Sequence, residues 1–131
     1  MAGTDFTKQM NKIADRMGES LEFVARGVLL DLFANIVFDT PVDTGRLQGN
    51  WQTSVGSPTT TALDRMNSVG PILEITSMIK GPDLYFFTNN LPYAERIEFD
   101  GWSHTKAPAG MVRINIDKTE QLLNKRAREA R

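Results

Sequence analysis

DFTKQMNKIADRMGESLEFVARGVLLDLFANIVFD, the stretch from Asp5 to Asp39, carries the pattern on which the fold class turns. Phe6, Met10, Ile13, Met17, Leu21, Val24, Val28, Leu32 and Ile36 recur at steps of three and four, the spacing that lines one face of an α-helix. Lys8, Lys12, Asp15, Arg16, Glu19, Glu22 and Arg26 fall between them as a solvated face, Thr4 or Asp5 can cap the start, and Pro41 stops the pattern. An unbroken helix over 5–39 is on the order of 50 Å long, whereas a compact chain of this length is about 36 Å across. Two outcomes relieve the mismatch. The helix bends near Gly18 or Gly27, each costing about 1 kcal/mol relative to Ala, or another subunit covers part of the stripe. The second is the expectation here, and it makes Met10 and Met17 candidate subunit contacts. From Val28 to Phe38 nearly every face is apolar, which predicts a central core segment whose aromatics pack rather than hold a cofactor.

The rest of the composition narrows the function classes. At 131 residues, with 40% hydrophobic and 24% charged, the chain fits one domain and is too apolar for wholesale disorder. No stretch approaches the roughly 20 apolar residues a bilayer requires, and Met1–Asp5 lacks the basic start of a secretion signal. Fifteen Lys and Arg against sixteen Asp and Glu leave a net charge of -1, so a global pull toward nucleic acid is absent. With no cysteine and one histidine, His104, thiolate chemistry is excluded, and histidine-based hydrolase and metal layouts lose most of their support.

Beyond Pro41 the chain changes character. Thr40–Leu47 is a turn sequence, and Asn50–Val55 alternates as a strand. Gly56–Thr61 is an exposed loop, while Ala62–Gly70 shows no clear period. Ile72, Ile75 and Ile79 share a helical face in Pro71–Lys80, with strand the weaker alternative, and Gly81 ends the run. Leu84–Thr88 predicts a buried strand and Tyr93–Phe99 a turn or two of helix. Asp100–Gly110 is a punctuated loop, and Met111–Ile116 alternates as a third strand, with Arg113 and Asn115 on its polar face. A last helix from about Asp117 ends in the basic tail Lys125–Arg131. The expected fold is therefore α+β: a long N-terminal helix (about 5–39) and a C-terminal helix (about 117–130) packed on a small, mainly antiparallel β-sheet. The sheet lies in a sheet-and-loop body (about 40–116), with 1–131 as a single domain.

Pro41-Val42-Asp43-Thr44-Gly45-Arg46-Leu47, Asn50-Trp51, Thr88–Ala94 with Ile97-Glu98, and Gly101-Trp102-Ser103 with Ala107–Val112 follow one another in that order. Across residues 40 to 116 this ordered set resembles the small neck and tail-completion proteins of tailed bacteriophages, the family that includes tail-to-head joining proteins. Two departures stand out: Asp100 before Gly101, and His104-Thr105-Lys106 where the family commonly has a glutamine. The resemblance implies a structural virion protein, not an enzyme and without a cofactor. Such a protein assembles in the host bacterial cytoplasm as a closed homo-oligomeric ring, a hexamer or dodecamer, in the virion neck. Its implied partners are the head connector or adaptor and the tail tube or tail terminator, with DNA only passing through the lumen and no membrane involved.

Arg46, Trp102, Tyr93 and Glu98 join Met10 and Met17 as candidate interface residues. Trp102 is the preferred anchor, because tryptophan is enriched at binding hot spots; Trp51, in a strand, reads equally as core. Arg46 is expected to pair with Glu98 or with a neighbour's carboxylate, and Tyr93 and Glu98 to hold the local turn. Two contrasting functions use other residues. Glu95, Glu98, Asp100 and His104 form a carboxylate and imidazole group that could serve a metal-dependent nuclease. The tail from Lys125 to Arg131 could instead serve a small nucleic-acid-binding module, with Tyr93 or Trp102 stacking on bases.

Overall fold

The computed structural model describes residues 2–18, 21–42, 44–81, 83–100 and 110–129. Its class is α+β, with six helices and one two-stranded antiparallel sheet among the described residues. In chain order these are α1 (Ala2–Met17), α2 (Leu21–Asp39), α3 (Arg46–Gly49), β1 (Trp51–Val55), α4 (Val69–Met78), β2 (Tyr85–Asn89), α5 (Ala94–Asp100) and α6 (Val112–Glu129).

The long N-terminal helix is corrected to two. The chain leaves α1 at Gly18, whose φ of +71° is left-handed and open to glycine at little cost. Gly27, in contrast, continues inside α2. The break lets α1 fold back so that Ile13 and Ala14 are buried against α2 and α6. Met10 is half-buried on α1; the Met17 side chain lies outside the described residues.

A lone pair of strands is marginal in water, so the sheet depends on what covers it. β1 and β2 run antiparallel with Trp51 opposite Asn89 and Val55 opposite Tyr85. Diagonal across that register, Trp51 stacks on Phe87 at 4.9 Å between ring centres, and Phe87 stacks on Phe33 of α2 at 4.3 Å. The Trp51 indole N–H donates to Thr40 Oγ1 at 2.8 Å, and Thr40 Oγ1 donates to the Ile36 carbonyl at 2.6 Å, so the buried polar atoms at the end of α2 are satisfied. Trp51 is thus a core residue. Around this stack lie Ile36, Val37, Leu47, Ile75, Ile79, Leu91, Ala94, Ile97 and Met111. α4 and its C-cap carry the expected isoleucines: Ile75 and, at the cap, Ile79 are buried, Ile72 packs beside them, and the Arg26 Nε–H of α2 donates to the Ile79 carbonyl at 2.7 Å.

The expected third strand, Met111–Ile116, is also corrected, because those residues open α6, which starts at Val112 rather than near Asp117. Met111, Asn115 and Leu123 are buried at helical spacing. Asn115 therefore points inward, where its Nδ2 donates to the Met111 carbonyl at 2.8 Å and to Asp39 Oδ2 at 3.0 Å.

Candidate functional site

The most concentrated polar geometry lies where α5 meets the start of α6. Glu98 is brought there by α5, whose apolar Ala94 and Ile97 are buried and turn the carboxylate toward the first turn of α6. Its Oε1 accepts the backbone N–H of Met111 at 2.6 Å and of Val112 at 2.8 Å, and its Oε2 accepts the N–H of Arg113 at 2.9 Å. These are amide groups that a helix start leaves without partners, and a negative charge there also suits the helix dipole. The Arg113 Nε–H adds a charged bond to Oε2 at 3.0 Å, and Arg113 Nη2 donates to the Glu98 carbonyl. Burial pushes the Glu98 carboxyl up, but the three amides and the guanidinium outweigh it and hold the group below its ordinary value. Gly110 completes the clasp: its φ is +87°, and a Cβ there would stand 2.5 Å from the Glu98 carbonyl oxygen and 2.7 Å from Oε2.

The arginine beside Glu98 is Arg113, not Arg46, for which a pair with Glu98 or with a neighbour's carboxylate is expected from the sequence. Arg46 itself is exposed at the head of α3, its N–H on Thr44 Oγ1 at 3.3 Å and its carbonyl accepting from Asn50 Nδ2 at 2.8 Å. Tyr93 is half-buried against the core, and its carbonyl accepts the Ile97 N–H at 3.2 Å. The structure brings Tyr93 and Glu98 to the two ends of one short segment and leaves Arg46 out of it. Trp102, His104 and the rest of 101–109 lie outside the described residues, as do the side chains of Asp100 and of the tail beyond Lys125. Both Glu98 oxygens already accept N–H donors. Among the described residues, no group of three or more metal-binding side chains occurs.

A second set of pins holds the stretch without period. The Arg65 guanidinium donates to the Gly49 carbonyl at 2.6 Å, to the Trp51 carbonyl at 2.7 Å and, through Nη1 and Nη2, to the Glu74 carboxylate at 2.8 and 3.1 Å. Buried Asn50 binds Leu63 through both ends of its amide, 2.7 Å from the N–H and 3.1 Å from the carbonyl. Gln52 and Asn90 both donate to the Thr61 carbonyl, at 3.0 and 3.2 Å. Sequence reasoning missed these residues, since most of their partners are backbone atoms that no side-chain pattern announces.

Apolar surface is the other notable feature. Met66, Val69 and Leu73, at and along α4, are 55%, 68% and 63% exposed. Elsewhere an open groove of about 290 Å³ runs between α1, α2 and α6, lined by Ile13, Val24, Val28, Leu122 and Leu123 with Asp31 and Lys118 among them. Phe23, 60% exposed, and Leu122, 44% exposed, stand at this groove. No known protein family, curated protein or solved structure matches the chain.

Proposed function

We propose that this protein is a structural component of a tailed-bacteriophage virion that forms a ring in the neck, joining or completing the tail at the head connector. The observation that carries this reading is apolar surface left open at two places built by different elements, the α4 ridge and the α2–α6 groove. Head-to-tail contacts that close into a ring need two unlike patches on one chain, and exposed apolar patches mark association surfaces. The residues on which the resemblance to neck proteins rests add support. Asn50, Trp51, Glu98 and Gly110 are engaged in holding turns and helix ends, which suits a scaffold whose loops must keep their shape. A net charge of -1 also suits a lumen that DNA crosses without strong phosphate binding.

Native mass spectrometry of the purified chain, alone and mixed with the phage's head connector, tests the proposal. The expected result is a closed species of six or twelve copies. A strict monomer that ignores the connector overturns it.

A further inference from the structure

We infer that the open edge of β2 is a pairing surface for a second copy of this chain: two β2 strands meet antiparallel about a twofold axis at Phe87 and join the two small sheets into one. The register fixes which backbone groups are free to do this. The Gly56 N–H donates to the Leu84 carbonyl at 2.8 Å, so in the antiparallel ladder Ser54 with Phe86 and Gln52 with Thr88 are the other pairs that bond across it. Trp51, Thr53 and Val55 therefore turn their N–H and C=O groups to the outer edge of β1, and Tyr85, Phe87 and Asn89 turn theirs to the outer edge of β2.

The two edges differ. On β1, the Arg65 guanidinium donates to the Trp51 carbonyl at 2.7 Å and the Thr53 N–H donates to Glu74 Oε1 at 3.4 Å, while α4 lies alongside. On β2, among the described residues, no donor or acceptor reaches the outward backbone of Tyr85, Phe87 or Asn89, and no helix lies along the strand in the same way. Proteins usually blunt an open edge with lysine, proline or another charge, because an unprotected one pairs with other chains. Leu84–Asn90 contains no charged residue and no proline. This edge is therefore built for pairing.

Self-complementarity points to a second copy as the occupant. The free groups are centred on Phe87, so a copy turned about that residue sets Phe87 opposite Phe87 and Tyr85 opposite Asn89, and every outward N–H meets an outward C=O. The side chains agree. Leu84, 61% exposed, and half-buried Phe86 share the sheet face away from the Trp51–Phe87 stack. In the twofold register Phe86 stands opposite Thr88 of the second copy and diagonal to its Phe86, about 7–8 Å away, within reach of aromatic rings. The apolar surface beside the edge is then covered by the same surface of the copy. A two-stranded sheet is marginal in water, and the pairing replaces two such sheets with one of four strands. The contact closes at two copies and uses neither the α4 ridge nor the α2–α6 groove, so it goes beyond the ring proposed above and does not depend on it.

The test compares two double variants of the full chain that lose the same side chains and differ in one charge, Phe86→Lys/Thr88→Lys and Phe86→Lys/Thr88→Glu. Position 86 of one chain faces 88 of the other, so the first variant opposes lysine to lysine twice and the second opposes lysine to glutamate twice. Sedimentation equilibrium over a concentration series reads the dimer constant. The dissociation constant of the first variant is expected to exceed that of the second about tenfold, and the gap should narrow as salt is raised. Amide exchange by NMR on the unaltered chain requires no substitution: the Tyr85, Phe87 and Asn89 N–H groups are expected to be protected in the dimer and to lose protection on dilution. Equal constants in the two variants, or fast exchange at those three amides within a dimer, overturn pairing through β2 and leave the ring standing. An unaltered chain that stays monomeric at about 1 mM overturns it too. Protection that arises only when the head connector is added gives the edge to that partner and overturns the twofold pair.

Discussion

Glu98 shows how one side chain decides where a helix begins. Its carboxyl titrates lower in the folded chain than in the unfolded one, where glutamate sits at about 4.3. The clasp therefore contributes fully above that unfolded value, and the contribution is lost as pH falls through the lower folded value. Glu98→Gln is expected to lower stability at pH 7 by about 2–3 kcal/mol, the scale for losing hydrogen bonds to a charged group. It should also flatten the acid limb of a plot of melting temperature against pH below the ordinary glutamate value. Thermal melts of both proteins across that range check this, and equal slopes would count against it. Gly110→Ala places a methyl against a backbone carbonyl and forces a positive φ on alanine, so it is expected to cost about 2–4 kcal/mol in a urea titration.

Among the elements, α4 and the two strands were legible because their signals are local: isoleucines at helical spacing for α4, and aromatic and β-branched runs between turn residues for Trp51–Val55 and Tyr85–Asn89. The start of α6 was not. Met111–Ile116 does alternate, but its helical state is set by a carboxylate 13 residues upstream, which a window on the segment does not contain. At Gly18 the sequence marked a possible bend, yet a cost of about 1 kcal/mol for glycine in a helix is too small to decide between bend and continuation. Of the candidate site, Glu98 was visible as a turn-holding residue, while its partner Arg113 was hidden by the strand assignment. The stretch before α4 was illegible for a related reason, since Arg65 works on carbonyls. Its fork covers the Trp51 carbonyl at the outer edge of β1, while Glu74 Oε1 accepts the Thr53 N–H at 3.4 Å, so the pair acts as a substitute strand. Arg65→Lys keeps the charge but loses the planar fork. It is expected to cost about 1–3 kcal/mol and to speed amide exchange in β1 more than in α2, as hydrogen exchange by mass spectrometry would read.

For the whole molecule, the exposed α4 ridge is where the proposed assembly can be tested apart from folding. Val69 and Leu73 face outward, so Val69→Lys with Leu73→Lys is expected to shift stability by no more than about 0.5 kcal/mol per site. The same change should abolish the closed ring. A melting curve beside a native mass spectrum distinguishes the two effects, and intact assemblies in the double variant would remove the ridge from the interface.

The meeting of Gln9 with Asn124 joins positions 115 residues apart. A nascent chain leaves the ribosome at about 5–20 residues per second, so α1 waits on the order of ten seconds for its own α6 to emerge. Until then Ile13 and Ala14 on α1 have only α2, and not α6, to bury them.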